Sequence, residues 1–290
     1  MKHDVCFWVN AELQRRGIDA FCLNTAVEAT ALNSRPFCCI LQQEEVIRRC
    51  ITPRDTLVVS IGGNDLALMP VLATLLNIIP LICLTPQACI ERCACACPPN
   101  IAYRLSCDCG CVGCGLPGCL VSPFGWPPGL AYFVDLFGNR VQEYILRVLG
   151  GRRPQKVVCC MIYFLDVHGR GGWADGFLGC MGYNCAPSRL QSAIRKVFEL
   201  ATKRIRIPGV EVIAFPLFEH LDGSDTRDYI ERVEPSPRGG RKMARALIDT
   251  LYGALPYVGE HDEYSSGSEQ YGAGPGDGLV MRRHQTREDR

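Results

Sequence analysis

The chain has 290 residues, of which 48% are hydrophobic and 21% are charged. This is ordinary globular usage, so the composition excludes wholesale disorder. Lys and Arg (31) nearly balance Asp and Glu (30), and the resulting formal net charge of +1 argues against a nucleic-acid-binding protein. Cysteine is the exception, with 19 residues, nine of which lie between Cys89 and Cys119.

Helix-like and strand-like patterns alternate along most of the chain. The strand-like segments are short and almost continuously apolar, which is typical of parallel strands covered on both faces. The helix-like segments place apolar residues three and four positions apart. In chain order we predict a helix at Val5–Arg16, strands at Ala20–Leu23 and Thr56–Ile61, a helix at Tyr132–Leu149, a strand at Lys156–Leu165, a helix at Arg189–Arg204, a strand at Val210–Phe215 and a helix at Gly239–Leu255. This alternation predicts an open, doubly wound α/β sheet.

One apolar stretch, Leu66–Leu84, is about long enough to span a bilayer. It is interrupted by Pro70, Asn77 and Pro80, and no Lys or Arg flanks its N-terminal side. We therefore interpret it as a buried helix followed by a strand, and we predict no membrane partner. The N-terminus lacks the apolar segment behind a basic start that marks a secretory signal. The sequence therefore predicts an intracellular, cytoplasmic protein.

Two segments lie outside this alternation. Residues 83–128 are rich in Cys, Gly and Pro and are predicted to form an insertion. Residues 259–290 are rich in Gly, Ser and charged residues, with few aliphatic side chains, and are predicted to be a disordered tail. The α/β domain is therefore predicted to consist of residues 1–82 and 129–258.

The Cys-rich insertion has the residue type and the short spacings of a metal site. Zinc takes four thiolate ligands in a closed structural site, and Cys-x-Cys and Cys-x-x-Cys pairs can place thiolates on one cation. Eight cysteines would fill two such sites: Cys93, Cys95, Cys97, Cys107, Cys109, Cys111, Cys114 and Cys119. The dense run leaves their pairing open, and disulfides, free thiols or an iron–sulfur cluster are alternatives. Because no secretory signal is seen, structural zinc is the predicted cofactor.

The strongest local sign of a functional site follows the second predicted strand, where the chain reads Gly62-Gly63-Asn64-Asp65. Ligands of open parallel sheets bind outside the carboxyl ends of the strands. Two glycines allow a sharp turn and a close approach of the backbone to a ligand. The Asn64 amide is a suitable donor to a developing oxyanion. In the alternative interpretation this is a strand-to-helix turn, with Asn64 or Asp65 capping the next helix.

A second motif, Glu231-x-x-Glu234-Pro-Ser-x-x-Gly239, opens the last predicted helix. Together with Gly62–Asp65 after a strand, this motif resembles the layout of the SGNH (GDSL-type) hydrolase and esterase family. The resemblance covers about Val5–Leu255 without the Cys-rich insertion.

The resemblance implies a three-layer α/β/α, flavodoxin-like parallel sheet and hydrolysis of acyl esters by a catalytic serine and histidine. It implies that Asn64 and Gly63 contribute to the oxyanion hole. Glu234 stands at the position of the catalytic histidine of the family, and Glu231 stands at the position of its aspartate.

The chain departs from the family pattern at the nucleophile and at the base. No Gly-Asp-Ser turn precedes Val5, and glutamate, with an unperturbed pKa of about 4.3, is a poor base for a serine at neutral pH. We interpret Ser60 as a core hydroxyl and Ser236 as a helix N-cap, rather than as nucleophiles. His168 and His220 follow predicted strands and could reach the same crevice. Either the true start of the protein lies upstream, or the chain is a homologue that has lost its nucleophile.

The absent nucleophile strand also matters for the sheet. In the flavodoxin-like strand order 2-1-3-4-5, the first strand is central. Without it, the predicted strands Ala20–Leu23 and Thr56–Ile61 are expected to pair directly or to leave open edges.

Two functions from different classes follow from these residues. The first is an SGNH-type, hydrolase-like protein of a lineage that acts on acyl esters, truncated or catalytically impaired in the chain as given. The alternative is a non-catalytic binding protein that keeps a crevice for a small-molecule ester or a glycan and carries a metal-binding cysteine module.

Overall fold

The computed structural model describes residues 3–32, 35, 40–67, 72–100, 116–168, 174–180, 182–254 and 279–283. Within these ranges the chain has a mixed α/β fold. The strands are Ala20–Asn24 (β1), Thr56–Ser60 (β2), Cys95–Ala96 (β3), Gly125–Trp126 (β4), Lys156–Met161 (β5), Glu211–Pro216 (β6), Tyr229–Ile230 (β7), Glu234–Pro235 (β8) and Leu279–Arg283 (β9).

All four helices predicted from the sequence are present, with ends that shift by a few residues. The α-helices are Val5–Arg15 (α1), Gln42–Cys50 (α2), Gly63–Ala67 (α3), Leu72–Ile79 (α4), Gln87–Arg92 (α5), Leu130–Val134 (α6), Val141–Leu149 (α7), Ala174–Cys180 (α8), Pro187–Leu200 (α9) and Pro237–Tyr252 (α10). The π-helical segments are Pro80–Leu84 and Asp135–Arg140, and the second of these joins α6 to α7. The 3-10 segments are Leu116–Phe124, Thr202–Arg204, Leu217–Glu219 and Thr226–Asp228.

The main sheet has the strand order β1-β9-β2-β5-β6. Strands β2, β5 and β6 are parallel, with Thr56 opposite Lys156 and Lys156 opposite Glu211. The predicted α/β class with parallel strands is therefore confirmed. The carboxyl ends of these three strands, at Ser60, Met161 and Pro216, lie along one edge of the sheet.

Apolar side chains of the parallel strands pack into two cores, one on each face of the sheet. Leu57 and Val157 belong to the core that α6, α7 and α9 cover, whereas Val58 and Val158 belong to the core that α1 and α10 cover. Because successive side chains of a strand point to opposite faces, a strand with a core on both sides must be apolar along its whole length. This explains why the sequence of these strands is almost continuously hydrophobic.

Strand β9 occupies the second position of the sheet. It lies between β1 and β2 and runs antiparallel to both, so that Val280 pairs with Leu23 on one side and Leu57 on the other. Direct pairing of β1 with β2, or open edges there, is therefore not observed. The prediction of a disordered tail is wrong for residues 279–283, which form β9. Backbone pairing with β1 and β2 stabilises this segment, and such pairing cannot be read from the amino-acid composition. Residues 259–278 and 284–290 of that tail lie outside the described residues.

The predicted strand Lys156–Leu165 is shorter than expected and ends at Met161. Its neighbour β6 ends at Pro216 and turns into the 3-10 segment, so the sheet offers no partner beyond this point. The next residues instead bond to loops: the Phe164 amide donates to the Leu221 carbonyl, and the Asp166 amide donates to the Arg232 carbonyl. The segment after β5 therefore approaches the loops that carry the second sequence motif.

The apolar stretch Leu66–Leu84 differs from its interpretation as a buried helix followed by a strand. Within its described part, α4 leads directly into the π-helical segment Pro80–Leu84. Leu72, Leu76 and Ile79 of α4 are exposed rather than buried. Among the helices of the described ranges, none combines the length and the hydropathy that crossing a bilayer requires.

Candidate functional site

The Gly62–Asp65 turn lies at the carboxyl edge of the sheet, directly after β2. Gly62 has a φ of +101°, in the left-handed region, and a Cβ there would lie 2.6 Å from Cε1 of Phe137. Both the backbone conformation and the contact with the Phe137 ring therefore require glycine at this position. Gly63 begins α3 and packs against Ile162, the first residue after β5.

The side chains of Asn64 and Asp65 hold the loop that follows β1. Asn64 is 4% exposed, and its Nδ2 donates to the Thr30 carbonyl at 2.7 Å. Asp65 is fully buried, and its Oδ2 accepts from the Leu32 amide at 2.8 Å. The predicted oxyanion donor therefore has a structural partner, and one N–H of its amide is used to join two loops of the sheet edge.

The second motif forms the hairpin β7–β8, in which Ile230 pairs with Glu234. Glu231 and Arg232 in its turn have φ values of 49° and 73°, so two successive residues without glycine lie in the left-handed region. Such a conformation costs free energy and persists only where surrounding contacts hold it. Here the contacts are those of Arg232, whose side chain is buried.

Arg232 connects the hairpin to two other loops. Its Nη1 donates to Oδ1 of Asp175 at 2.8 Å and to Oδ1 of Asn184 at 2.6 Å. Its Nε and Nη2 both donate to the carbonyl of Asp166 at 3.1 Å. These bonds fix the hairpin against the segment that follows β5 and against α8.

Glu234 and Glu231 have different environments. Glu234 is half-buried, whereas Glu231 is exposed. Burial raises the pKa of Tyr163, and the negative charge of the nearby Glu234 raises it further. The Tyr163 hydroxyl donates to the Val233 carbonyl at 2.7 Å. Tyr163 belongs to the core that α1 and α10 cover, whereas Phe137 beside Gly62 belongs to the core on the other face of the sheet. The Glu234 carboxylate therefore lies near the face of the sheet opposite to the apolar side of the Gly62–Asp65 turn.

Ser236, His168 and His220 do not form, within the described segments, the serine–histidine pair that the family resemblance implies. Ser236 is the N-cap of α10, where its Oγ accepts from the Gly239 amide and donates to the Arg227 carbonyl. The interpretation of Ser236 as an N-cap is therefore confirmed. His168 is exposed, and His220 stacks on Phe215 with ring centroids 5.3 Å apart. Burial lowers the pKa of His220.

Sequence reasoning missed the buried Asp166, four residues beyond Ile162. Its Oδ1 accepts from the His168 amide at 2.8 Å and from the Thr226 hydroxyl at 3.2 Å. Its Oδ2 is buried without a hydrogen-bond partner in the part of the chain that the structure describes. A carboxylate oxygen of this kind can accept a hydrogen bond from a ligand or water. The sequence feature that could have identified Asp166 is the motif Asp166-Val-His168, directly after a predicted apolar strand.

A small apolar pocket of about 20 Å³ lies beside the Gly62–Asp65 turn. Leu66, the residue after Asp65, contributes to its wall, and so do Phe137 and Ile162, which contact Gly62 and Gly63. The remaining wall comes from α4, Pro80–Leu84, α6, β5 and α9: Ile78, Leu81, Ile82, Phe133, Met161, Leu190, Ala193, Ile194 and Val197. The lining is apolar, but this volume holds only about one water molecule, so a hydrocarbon chain enters only if the wall residues move apart.

The predicted zinc ligands are only partly within the described residues. Cys93, Cys95 and Cys97 are exposed thiols. Cys119 is half-buried, and its Sγ accepts from Nδ2 of Asn77 at 3.5 Å. The remaining four, Cys107, Cys109, Cys111 and Cys114, lie outside the described residues. Across the ranges that are described, no three His, Cys, Asp or Glu side chains are grouped for a metal ion.

No family model, curated protein or solved structure matches the chain. The family resemblance therefore depends on the residues of the chain itself.

Proposed function

We propose that this chain is a hydrolase-like protein of the SGNH (GDSL-type) lineage, which binds the acyl part of an ester beside Gly62–Asn64 and has impaired catalysis. The strand order supports this proposal. Strands β1, β2, β5 and β6 follow the order of strands 2, 3, 4 and 5 of a flavodoxin-like, three-layer α/β/α fold, and β9 stands where strand 1 would be.

The observation that carries the proposal is the position of the apolar pocket. Its wall includes the side chains that pack against Gly62 and Gly63, so an acyl chain that enters by moving these side chains apart brings its carbonyl carbon towards the two glycines. Backbone amides and a side-chain amide at this turn are suitable partners for a carbonyl oxygen. Asp166 follows β5 by five residues, and its Oδ2 has no hydrogen-bond partner among the described residues.

A specific observation favours the second candidate, a binding protein without catalysis. The Asn64 amide already donates to the Thr30 carbonyl, and the side chain is almost fully buried. Glu234 replaces the histidine that the family uses as its base. A small-molecule ester or glycan would then be held without being cleaved. The zinc-binding cysteine module stays a prediction in both candidates, because half of its ligands lie outside the described residues.

Filling the pocket is expected to weaken binding of longer acyl chains. Ala193 lies on α9 and faces the pocket, so Ala193→Leu places three additional carbon atoms in it. Excluding about two methylene groups of a ligand costs about 1.6 kcal/mol, which corresponds to a loss of about ten-fold in affinity. Isothermal titration calorimetry with ethyl hexanoate and ethyl acetate measures the two affinities. We expect the affinity for ethyl hexanoate to fall and the affinity for ethyl acetate to stay unchanged.

Ala246→Leu is the matched control. Ala246 is a buried alanine of the long helix α10, in the core on the opposite face of the sheet. The same addition of volume there leaves the pocket unchanged. Equal loss of affinity in both variants, or hexanoate binding no tighter than acetate in the wild type, contradicts the proposed acyl site.

Whether the turn also catalyses is tested with Asn64→Ala and Asp65→Ala. Each substitution removes at least one hydrogen bond to the loop after β1, so each is expected to lower the free energy of unfolding by about 1–3 kcal/mol or more. Only Asn64→Ala removes a donor to the oxyanion, which typically costs about 10²–10³-fold in rate. Hydrolysis of p-nitrophenyl acetate and hexanoate from pH 4 to 9 reports the rate.

A rate that falls only in Asn64→Ala supports residual catalysis at this turn. Equal rates in the wild type, in both variants and in a protein-free blank would favour the binding protein without catalysis. Hydrolysis that persists unchanged in Asn64→Ala excludes Asn64 as an oxyanion donor.

A further inference from the structure

Basic residues gather at the amino ends of the three parallel strands, at the edge of the sheet opposite to the Gly62–Asp65 turn. The segments that lead into β2, β5 and β6 are 48–54, 147–156 and 203–206. Ten of the 31 Lys and Arg of the chain lie in these three segments, which contain none of its 30 Asp and Glu. The formal net charge of +1 therefore conceals a separation of charge, because the rest of the chain has an acidic excess.

Six of these cations are exposed and form no ion pair with a carboxylate among the described residues. We term them the amino-edge patch: Arg54, Arg152, Arg153, Lys203, Arg204 and Arg206. Glu45 pairs with Arg49 at 2.9 Å and Glu211 pairs with Lys156 at 3.5 Å, so these carboxylates serve cations outside the patch. Asp55, which follows Arg54 in the chain, is fully buried. The patch is therefore available to an external anion.

The patch is contiguous, because contacts join the segments that carry it. The first residues of β2, β5 and β6 lie side by side in the register of the sheet. Just before them, the Gln155 amide donates to the Asp55 carbonyl at 2.8 Å, so the first two segments remain adjacent beyond the strands. The Arg153 side chain extends to the chain before β6, since a Cβ at Gly209 would lie 3.0 Å from its Nη1.

The cations of the patch match a phosphate backbone in chemistry and in spacing. Eight of the ten cations in the three segments are arginines. The planar guanidinium group of arginine can bind a phosphate through two parallel hydrogen bonds. Neighbouring strands lie about 4.8 Å apart, so the three segments span about 10 Å across the sheet. A duplex presents about three phosphates of each strand along this length of its axis.

Other partners lack an anchor at this edge. The apolar side chains between the cations, such as Ile51, Leu149 and Ile205, are buried. Membrane-surface segments insert exposed apolar side chains, and protein interfaces use them at their centre. Single-stranded nucleic acids stack on aromatic rings, but the three segments contain no Phe, Tyr or Trp. A duplex that is bound through its phosphates alone therefore fits the patch best.

We propose that the amino-edge patch binds the phosphate backbone of a nucleic-acid duplex without reading its base sequence. Phosphate contacts position a protein on a duplex and carry no sequence information. The acidic remainder of the chain opposes this attraction only weakly, because exposed charges more than about 10 Å away are screened at 0.1 M salt. The patch and the proposed acyl site lie at opposite edges of the sheet, so neither proposal depends on the other.

The test is fluorescence anisotropy of a labelled DNA duplex of about 20 base pairs, titrated with the full chain at about 50 and 200 mM KCl. We expect binding that weakens as the salt concentration rises, because each phosphate contact releases counterions from the duplex. Arg152→Gln and Arg204→Gln each remove one such contact. Each is expected to weaken binding about ten-fold at the lower salt and to reduce the slope of log K against log salt by about 0.9.

Arg92→Gln is the matched control, because it removes the same charge from an exposed arginine of α5, outside the three segments. Its neighbour Glu91 accepts from Ser192 in the first half of α9, away from the segment that follows this helix. Arg92→Gln is expected to bind the duplex like the wild type. An equal loss of affinity in Arg92→Gln and Arg152→Gln would show that only the net charge of the chain matters, and would overturn the proposal.

Two further outcomes also overturn it: a wild-type chain that does not bind the duplex at the lower salt, and binding that salt does not weaken. Titrations with phosphatidylserine vesicles and with poly-glutamate test the other anionic partners. Tighter binding of either one than of the duplex would assign the patch to an anionic membrane or to an acidic protein segment. Tighter binding of a single strand of the same length would contradict the choice of a duplex.

Discussion

Replacing Gly239 by alanine is expected to lower the free energy of unfolding by about 3 kcal/mol or more. Gly239 lies in the first turn of α10, and an alanine Cβ there would overlap the backbone carbonyl oxygen of Asp228. That carbonyl cannot move easily, because it accepts from the Ser236 amide at 2.9 Å. The helix would have to move away from the loop, and α10 covers a large part of one core. Urea unfolding followed by circular dichroism measures the loss.

Gly176→Ala serves as the control for this substitution. Gly176 lies within α8, and a Cβ added there meets no atom within 4 Å. Alanine favours a helix by up to about 1 kcal/mol relative to glycine, so this variant is expected to be neutral or slightly more stable. A Gly239→Ala variant as stable as Gly176→Ala would show that α10 does not pack as closely on Asp228 as the structure indicates.

The close approach of α10 to the Asp228 carbonyl also explains part of the second sequence motif without invoking catalysis. Ser236 caps α10, and Gly239 lets the helix approach the carbonyl of Asp228. Lys242 of the next turn donates to Asp228, so the start of α10 is bound to this loop by polar contacts as well. The spacing from Ser236 to Gly239 is therefore sufficient to build a helix start, whereas the chemistry that the resemblance implies depends on the residue at 234.

The sequence predicted the parallel strands because a strand with a core on both faces must be apolar throughout. It placed Thr56–Ile61 and Val210–Phe215 within one residue of β2 and β6 at each end. It could not predict the position of β9, because strand pairing joins backbone groups of distant residues and leaves little trace in composition. For the same reason, the sequence predicted one strand over Lys156–Leu165, although the neighbouring strand β6 ends at Pro216 and β5 ends opposite it.

The candidate site was predictable only in its local parts. The turn at the end of β2 has a positive φ at position 62 and therefore requires a glycine there. The sequence pattern of a strand followed by glycine lies within a few residues, so it can be recognised without the structure. The bonds from Arg232 to Asp166 join residues that are far apart in the sequence, and no periodicity links them. The pocket wall likewise comes from several separate elements, whose side chains read as ordinary core residues in the sequence.

The last expected result concerns β9, which lies between β1 and β2. Val280→Pro is expected to lower the free energy of unfolding by about 3 kcal/mol relative to Val280→Thr, because proline has no N–H. In a strand with neighbours on both sides, each backbone N–H is directed at one of them, and Val280 pairs with both Leu23 and Leu57. Threonine keeps the N–H and the β-branched shape, so the difference between the variants measures the backbone bond. Urea unfolding gives the free energies, and hydrogen exchange locates the loss.

Faster exchange in Val280→Pro is expected first in the amides of β1 and β2, the two strands that β9 joins. Strands β5 and β6 pair with β2 and with each other, so their amides should keep their protection longer. If proline and threonine at position 280 gave equal stability and equal exchange, β1 would not depend on the C-terminal strand. The sheet would then consist of β2, β5 and β6, and the loop after β1 would depend on the Asn64 and Asp65 contacts for its position beside the pocket.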